Sequence, residues 1–154
     1  MQKVYITTGL PGSGKSSWAG AFANSDYNIK IVNADSFRTM LHGRYTFNVA
    51  TEPCVHECCK SMVRCLLEQG FDVIIDECNV SKAVRKGWIS YIRSLRPEIE
   101  IHSVIFYTSA DVCKQNKLVN NYGLPSGWWY SVVDKIAANY QPVSKSEGFD
   151  HCCM

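Results

Sequence analysis

The sequence lacks an apolar run approaching the ~20 residues that span a bilayer, and "MQKVYITTG" leads into a strand pattern without the zones of a signal peptide. The expectation is a cytoplasmic protein with no membrane partner. It also lacks an excess of charge of either sign, with 16 Lys and Arg against 14 Asp and Glu and a net charge of +2. A strongly basic coat for gripping long duplexes is thereby excluded, so any nucleic acid is held locally. There is no internal repeat and no low-complexity linker, and 154 residues suffice to bury one apolar core. Residues 1–154 therefore read as a single domain.

Although the chain has eight cysteines, it has no CxxC pair. In a cytoplasmic protein the thiols stay reduced. Cys54, Cys58, Met62, Cys65 and Leu66 recur at helical spacing and are expected to form a core stripe, since a free cysteine behaves as a small hydrophobe. A metal site from Cys54, His56, Cys58 and Cys59, joined by "HCC" at 151–153, lacks the paired spacing of structural zinc sites.

What is present is alternation of strand and helix signals. Apolar or β-branched runs at 2–8, 28–33, 71–76 and 100–107 read as strands. Helices are expected from about Ser16, within "ADSFRTML" with Asp35 or Ser36 as cap, from Pro53 to Gln69, and over 81–95 opened by Ser81. Two more helices flank a loop at Gly123 and Pro125, and "GFDHCCM" is a candidate fifth strand. Such alternation implies an α/β fold: a four- or five-stranded parallel sheet with helices on both faces.

Between the first strand and the first helix stands "GLPGSGKSS", which meets the pattern GxxxxGK[ST] in full. Gly9, Pro11, Gly12, Ser13 and Gly14 form a loop whose amides turn inward on phosphates, and the helix N-terminus adds its positive end. Lys15 reaches the outer phosphates, Ser16 is placed to ligate Mg²⁺, and Ser17 completes the cradle. ATP or GTP with Mg²⁺ is the base expectation.

A second site belongs at the carboxyl ends of the other strands. Asp35 and Arg38 are three apart and share a helix face, as proton acceptor and phosphate clamp for one ligand or as a capping acid with its surface partner. Asp76 ends an apolar strand, where a carboxylate reaches a metal ion, and its neighbour Glu77 competes for that role. Asn79 and Arg85 are further substrate-site candidates, and Arg85 also fits a solvated face with Lys82, Lys86, Arg93 and Arg96.

The strings "GLPGSGKSSW", "NADSFR", "VIIDECN" followed by "VRKGW", "QNK" before "GLP", and "QPVSKSEGFD" resemble, in order and spacing, the polynucleotide 5′-kinase domain of phage and bacterial end-healing enzymes. The resemblance runs over nearly the whole chain. It implies a P-loop kinase fold with a helical lid near 113–127 and ATP- and Mg²⁺-dependent phosphorylation of the 5′-hydroxyl of DNA or RNA. It further implies Asp35 as general base, Arg38 as contact to the phosphate beside the reacting nucleotide, Lys15 and Ser16 on ATP and Mg²⁺, and Asp76 and Asn79 in a third motif. The family usually carries lid arginines, whereas "CKQNKLVNNYG" offers Lys114 and Lys117, of which Lys117 is the candidate for ATP. The runner-up is a related kinase acting on a nucleoside, nucleotide or modified base. A nucleotide-driven ATPase switch is the third reading, and the oligomeric state stays open.

Overall fold

A computed structural model describes residues 1–153. The elements run β1 (Lys3–Thr8), α1 (Lys15–Ser25), β2 (Ile29–Val32), α2 (Ala34–His42), α3 (Glu52–Glu68), β3 (Asp72–Ile75), α4 (Lys82–Leu95), β4 (Glu100–Ile105), α5 (Ala110–Val119), α6 (Ser126–Ala138), a 3₁₀ turn at Lys145–Glu147 and β5 (His151–Cys153). All five strands are parallel, in the order β2-β3-β1-β4-β5. The tail does form the fifth strand, pairing His151 with His102. Among the described residues no helix is long and apolar enough to cross a membrane.

Strand alternation distributes the core over both faces. Val4, Ile6, Val73, Ile75 and Ile101 pack beneath α3 and α4 with Trp88, Ile89 and Ile92. On the other face Ile29 and Ile74 meet Ala19, Trp18 and Phe22 of α1. A smaller cluster of Leu10, Cys113 and Val133 seats α5 and α6 against the loop after β1. Because β1 has β3 on one side and β4 on the other, the strand order reverses there, and a crevice opens at its carboxyl end.

Two expectations fail at helix level. The buried stripe of α3 is Val55, Cys59, Val63 and Leu67, whereas Cys54 and Cys65 are exposed, Met62 is 41% exposed, and Cys58 and Leu66 are half-buried. The helix turns its longer branched side chains inward, about 100° round from the cysteine stripe. The cap of α2 is neither Asp35 nor Ser36 but Asn33, whose extended backbone lets its side chain accept the Ser36 N–H at 2.9 Å. Asp35 is thereby released from capping and sits in the first turn.

Candidate active site

The loop between β1 and α1 depends on glycine where the chain turns left-handed. Gly12 has φ 83°, and a Cβ there would lie 2.6 Å from the Cys113 carbonyl of α5. Gly14, at φ 99°, precedes the first residue of α1. The lid is tied to this loop: Asn116 donates to the Gly12 carbonyl at 2.8 Å and Thr108 to that of Ser13 at 2.9 Å. Lys15 is 7% exposed and folds back, donating to the Leu10 carbonyl at 2.6 Å and to Ser13 Oγ at 3.2 Å. Both acceptors belong to the loop that a phosphate would fill.

The ends of β1 and β3 are stitched together. Thr7 Oγ1 donates to the Glu77 carbonyl at 2.7 Å and accepts the Glu77 N–H at 3.1 Å. Asp76 is 4% exposed. Its Oδ2 accepts from Asn33 at 2.9 Å, while Oδ1 is buried with no partner among the described residues. An orphaned carboxylate oxygen of this kind suits a cation. Glu77 turns the other way, toward Cys59 and Trp88, and burial pushes its carboxyl above the usual range. The charge of Asp76 is felt by Tyr122 of the lid, and Glu77 likewise keeps a buried oxygen, Oε1, with no partner among the described residues.

Arg85 is corrected from a substrate contact to an internal brace, whereas Asn79 braces β1 through its amide N–H and keeps a buried Oδ1 without a partner among the described residues. Asn79 is 4% exposed, adopts a left-handed backbone (φ 45°) and spends its amide on the Thr7 carbonyl at 2.9 Å. Arg85 is fully buried. Its fork grips Glu147 at 2.7 and 2.9 Å, and it also donates to the carbonyls of Asn79, Val80 and Pro142. Such a guanidinium has no donor to offer a ligand. Arg85 also drops out of the proposed solvated face, and Arg93 pairs with Asp150 at 2.6 Å.

Asp35 and Arg38 are brought together as their spacing suggested, with Nη1 to Oδ1 at 2.7 Å. The structure adds Glu52, the first residue of α3, one position before the helix expected from Pro53. Burial alone would lower the Arg38 pKa, but the hydrogen bonds and charges of Glu52 and Asp35 outweigh it and hold the group above its ordinary value. The Arg38 hydrogen bond in turn keeps the Glu52 carboxyl below its ordinary range. Asp35 retains about a third of its side-chain exposure (34%) and so remains open to an incoming group.

Lys117 is buried within the lid. Its Nζ lies 3.9 Å from the Trp129 ring centroid and 4.8 Å from that of Tyr122, and it donates to the Asn120 carbonyl at 3.3 Å. Burial lowers its pKa, opposed by the charge of Asp35 and reinforced by that of Lys15. Lys114 faces outward in a pair with Asp134 at 2.6 Å. Trp129 is packed as a lid residue, 2% exposed, with its indole N–H on the Asn121 carbonyl at 2.8 Å.

A phosphate cradle at the switch point of a parallel sheet, covered by a two-helix lid, defines a nucleotide-binding P-loop domain of kinase fold. Residues 4–121 match the model of a family described as an AAA domain, and the chain belongs to that family. The fold is similar to a chain of the Pnkp1/Rnl/Hen1 RNA repair complex, with a TM-score of 0.74 at 22% identity over 97% of this chain and 50% of that one. It is also similar to a fungal RNA kinase, with a TM-score of 0.67 at 16% identity over 98% of this chain and 72% of the other. In sequence it is 27% identical over 157 residues to the transcription factor bHLH140 of Arabidopsis thaliana, covering 96% of this chain and 15% of that protein. The chain thus spans a small part of the plant relative and half of the repair-complex chain. Likeness at these identities establishes the P-loop kinase fold alone; the acceptor is a matter for the site itself.

Proposed function

We propose that the protein is an ATP-dependent kinase that phosphorylates the 5′-hydroxyl of DNA or RNA. The observation that carries this is the half-open Asp35 carboxylate, held by Arg38 just after β2, two strands along the sheet from β1, whose end bears the phosphate cradle; we read it as the acceptor side of the cleft. In a hydrolytic switch the same carboxylate would take a proton from water, so the acceptor offered in the assay below separates the two readings. The residues fit Mg²⁺ and a nucleotide: Asp76 has an unpartnered buried oxygen, Ser16 opens the helix, and Lys15 has only loop oxygens for partners. When bound, ATP with Mg²⁺ supplies the phosphoryl group and neutralises its charge.

The chain's own residues do the rest. The backbone amides of Gly12 and of residues 14–17, unlike those of Gly9 and Ser13, which bond the Cys78 and Leu10 carbonyls, hold phosphate oxygens, and Lys15 and Lys117 supply positive charge. Asp35 accepts the proton of the attacking hydroxyl as the new P–O bond forms and the phosphoryl group's bond to the departing nucleoside diphosphate breaks, and Arg38 keeps that carboxylate oriented. The lid, hydrogen-bonded to the cradle through Thr108 and Asn116, restricts water.

The test is γ-labelled ATP with Mg²⁺, offered in parallel 5′-hydroxyl oligonucleotides of DNA and RNA, a 3′-mononucleotide and a free nucleoside. Label at the oligonucleotide 5′ end is the expected result. Label confined to the nucleoside or mononucleotide would point to the small-acceptor reading, and label found only in inorganic phosphate would sink the kinase.

A further inference from the structure

Beside the Asp35–Arg38 pair lies a cavity that the kinase reading has not used. It has a volume of about 350 Å³, within the roughly 300–1,000 Å³ of small-ligand pockets, and is lined by Arg44, Tyr45, Phe47, Tyr122 and Trp128 among others. One wall comes from the loop between α2 and α3, the other from the lid loop between α5 and α6. The Tyr45 and Tyr122 rings stack at 4.8 Å and 17°, and Trp128 meets Tyr45 edge-on at 6.4 Å. Phe47, at the cavity's rim, is 53% exposed. The Arg38 guanidinium is 5.5 Å from its centroid, and Arg38 holds Asp35 at 2.7 Å. An aromatic cavity is therefore joined to the proposed base through a single side chain.

Tyr122 carries the second sign of construction. It has φ 52°, a left-handed backbone that a non-glycine residue adopts at a cost, and it spends that conformation on presenting its ring to Tyr45. The loop is braced for it, since Asn121 caps the Gly123 N–H at 2.8 Å and Asn121's carbonyl accepts from Trp129.

We infer that this cavity is the base subsite of the acceptor: it receives the terminal nucleobase of an unpaired 5′ end against Tyr45, Phe47 and Trp128, with Arg44 toward the following phosphate. This rests on the 5′-kinase reading and narrows it. A nucleobase and its 5′-hydroxyl are separated by one ribose, matching the passage from the aromatic wall across Arg38 to Asp35. Rings stack on any base, so the subsite is tolerant of sequence. A paired terminal base is already stacked and bonded within its duplex and must be extruded before it can enter, so recessed duplex ends are poor acceptors. A sugar acid or polyol has no π face and gains nothing here.

The experiment uses the full chain and a 5′-hydroxyl trinucleotide, compared with the same trinucleotide abasic at its first position. Binding is read from quenching of tryptophan fluorescence, and transfer from labelled ATP is measured in parallel. The intact trinucleotide is expected to bind about 10-fold more tightly, the worth of roughly one base stack. Phe47→Ala, whose exposed ring the fold does not need, abolishes that preference and leaves the KM for ATP unchanged, and Trp128→Phe removes most of the quench while retaining a ring. Equal binding of the two acceptors, binding of neither, or a preference that survives in both Phe47→Ala and Trp128→Ala overturns the subsite. Label transferred equally to both acceptors leaves the kinase standing and removes the subsite. Base-dependent binding with no labelled product upholds the subsite and removes the 5′-kinase reading.

Discussion

Arg38 grips Glu52 with two parallel hydrogen bonds, Nε to Oε1 at 2.9 Å and Nη2 to Oε2 at 2.7 Å, and turns its remaining Nη1 to Asp35 at 2.7 Å. A guanidinium fork held bidentately by one acid is fixed in orientation, and what it orients is the other acid. Arg38 is therefore first a holder of Asp35, and any phosphate it contacts must share it with Glu52.

Glu52→Gln tests this. The substitution keeps the shape and removes the charge that fixes Arg38, so kcat/KM for the acceptor is expected to fall about 10-fold, within the worth of a charge-assisted hydrogen bond, with the KM for ATP unchanged. The pH dependence follows from the sign of the shift. The folded-state pKa of Glu52 lies below its ordinary value of about 4.3, so the pair stabilises the protein above that pH and the contribution is lost as pH falls through the folded pKa. Urea unfolding at pH 7 and near pH 3 should show a wild-type advantage over Glu52→Gln that narrows in acid. An advantage independent of pH would assign the effect to packing.

Asp35→Asn preserves the side-chain volume and a hydrogen-bond acceptor for Arg38 but cannot take a proton. Transfer is expected to drop by about 10²-fold or more, the usual contribution of a positioned general base, with nucleotide binding nearly intact. Single-turnover rates with saturating ATP give the first number and titration with a fluorescent nucleotide the second. Undiminished transfer would remove Asp35 from the chemistry.

The sheet, the cradle and the Asp35–Arg38 pair were legible in the sequence because each is local. A strand shows as a short apolar run between breakers, the cradle as eight consecutive positions, and the pair as a spacing of three on one helix. The rest depends on partners far apart in the chain. Glu147 lies 62 residues beyond Arg85, so a basic run on α4 looks solvated until the tail folds over it. The face of α3 was misplaced because cysteine, methionine and valine occur all around that helix, and only the sheet beneath it selects Val55, Cys59, Val63 and Leu67. Glu52, Tyr45 and Tyr122 had no sequence signal of their own. Their roles come from a loop and a lid meeting over the cleft.

Arg85 and Glu147 supply a prediction about stability alone. Their side chains are 0% and 1% exposed, and the pair ties α4 to the segment preceding β5. Arg85→Met strands a buried carboxylate and should cost about 3–5 kcal/mol, since breaking a buried pair leaves an uncompensated charge. For a chain of this size that corresponds to a fall in Tm of roughly 6–20 °C. The double variant Arg85→Met, Glu147→Leu removes both charges and should recover a large part of the loss. At low temperature, where Arg85→Met remains folded, its KM for the acceptor should match the wild type. A raised KM with normal Tm would restore Arg85 to the substrate site.

Lys117 lets the lid be tested through its protonation. Burial among Trp129, Tyr122 and the lid backbone lowers its pKa from the ordinary lysine value near 10.4, and Lys15 lowers it further while Asp35 opposes. If its positive charge faces the transferring phosphate, activity must fall on the alkaline side before an ordinary lysine would titrate, because the side chain becomes neutral. Lys117→Arg keeps the charge at every accessible pH and should carry the plateau of log kcat to higher pH, even where the longer planar head lowers its height. Lys117→Met should lose both the alkaline limb and about 10²-fold in kcat, the scale of removing one charge-stabilising donor. Measured from pH 7 to 10.5 with the acceptor saturating, a wild-type profile that stays level throughout, beside a Lys117→Met enzyme of normal rate, would leave the positive charge on the phosphate to Lys15 alone.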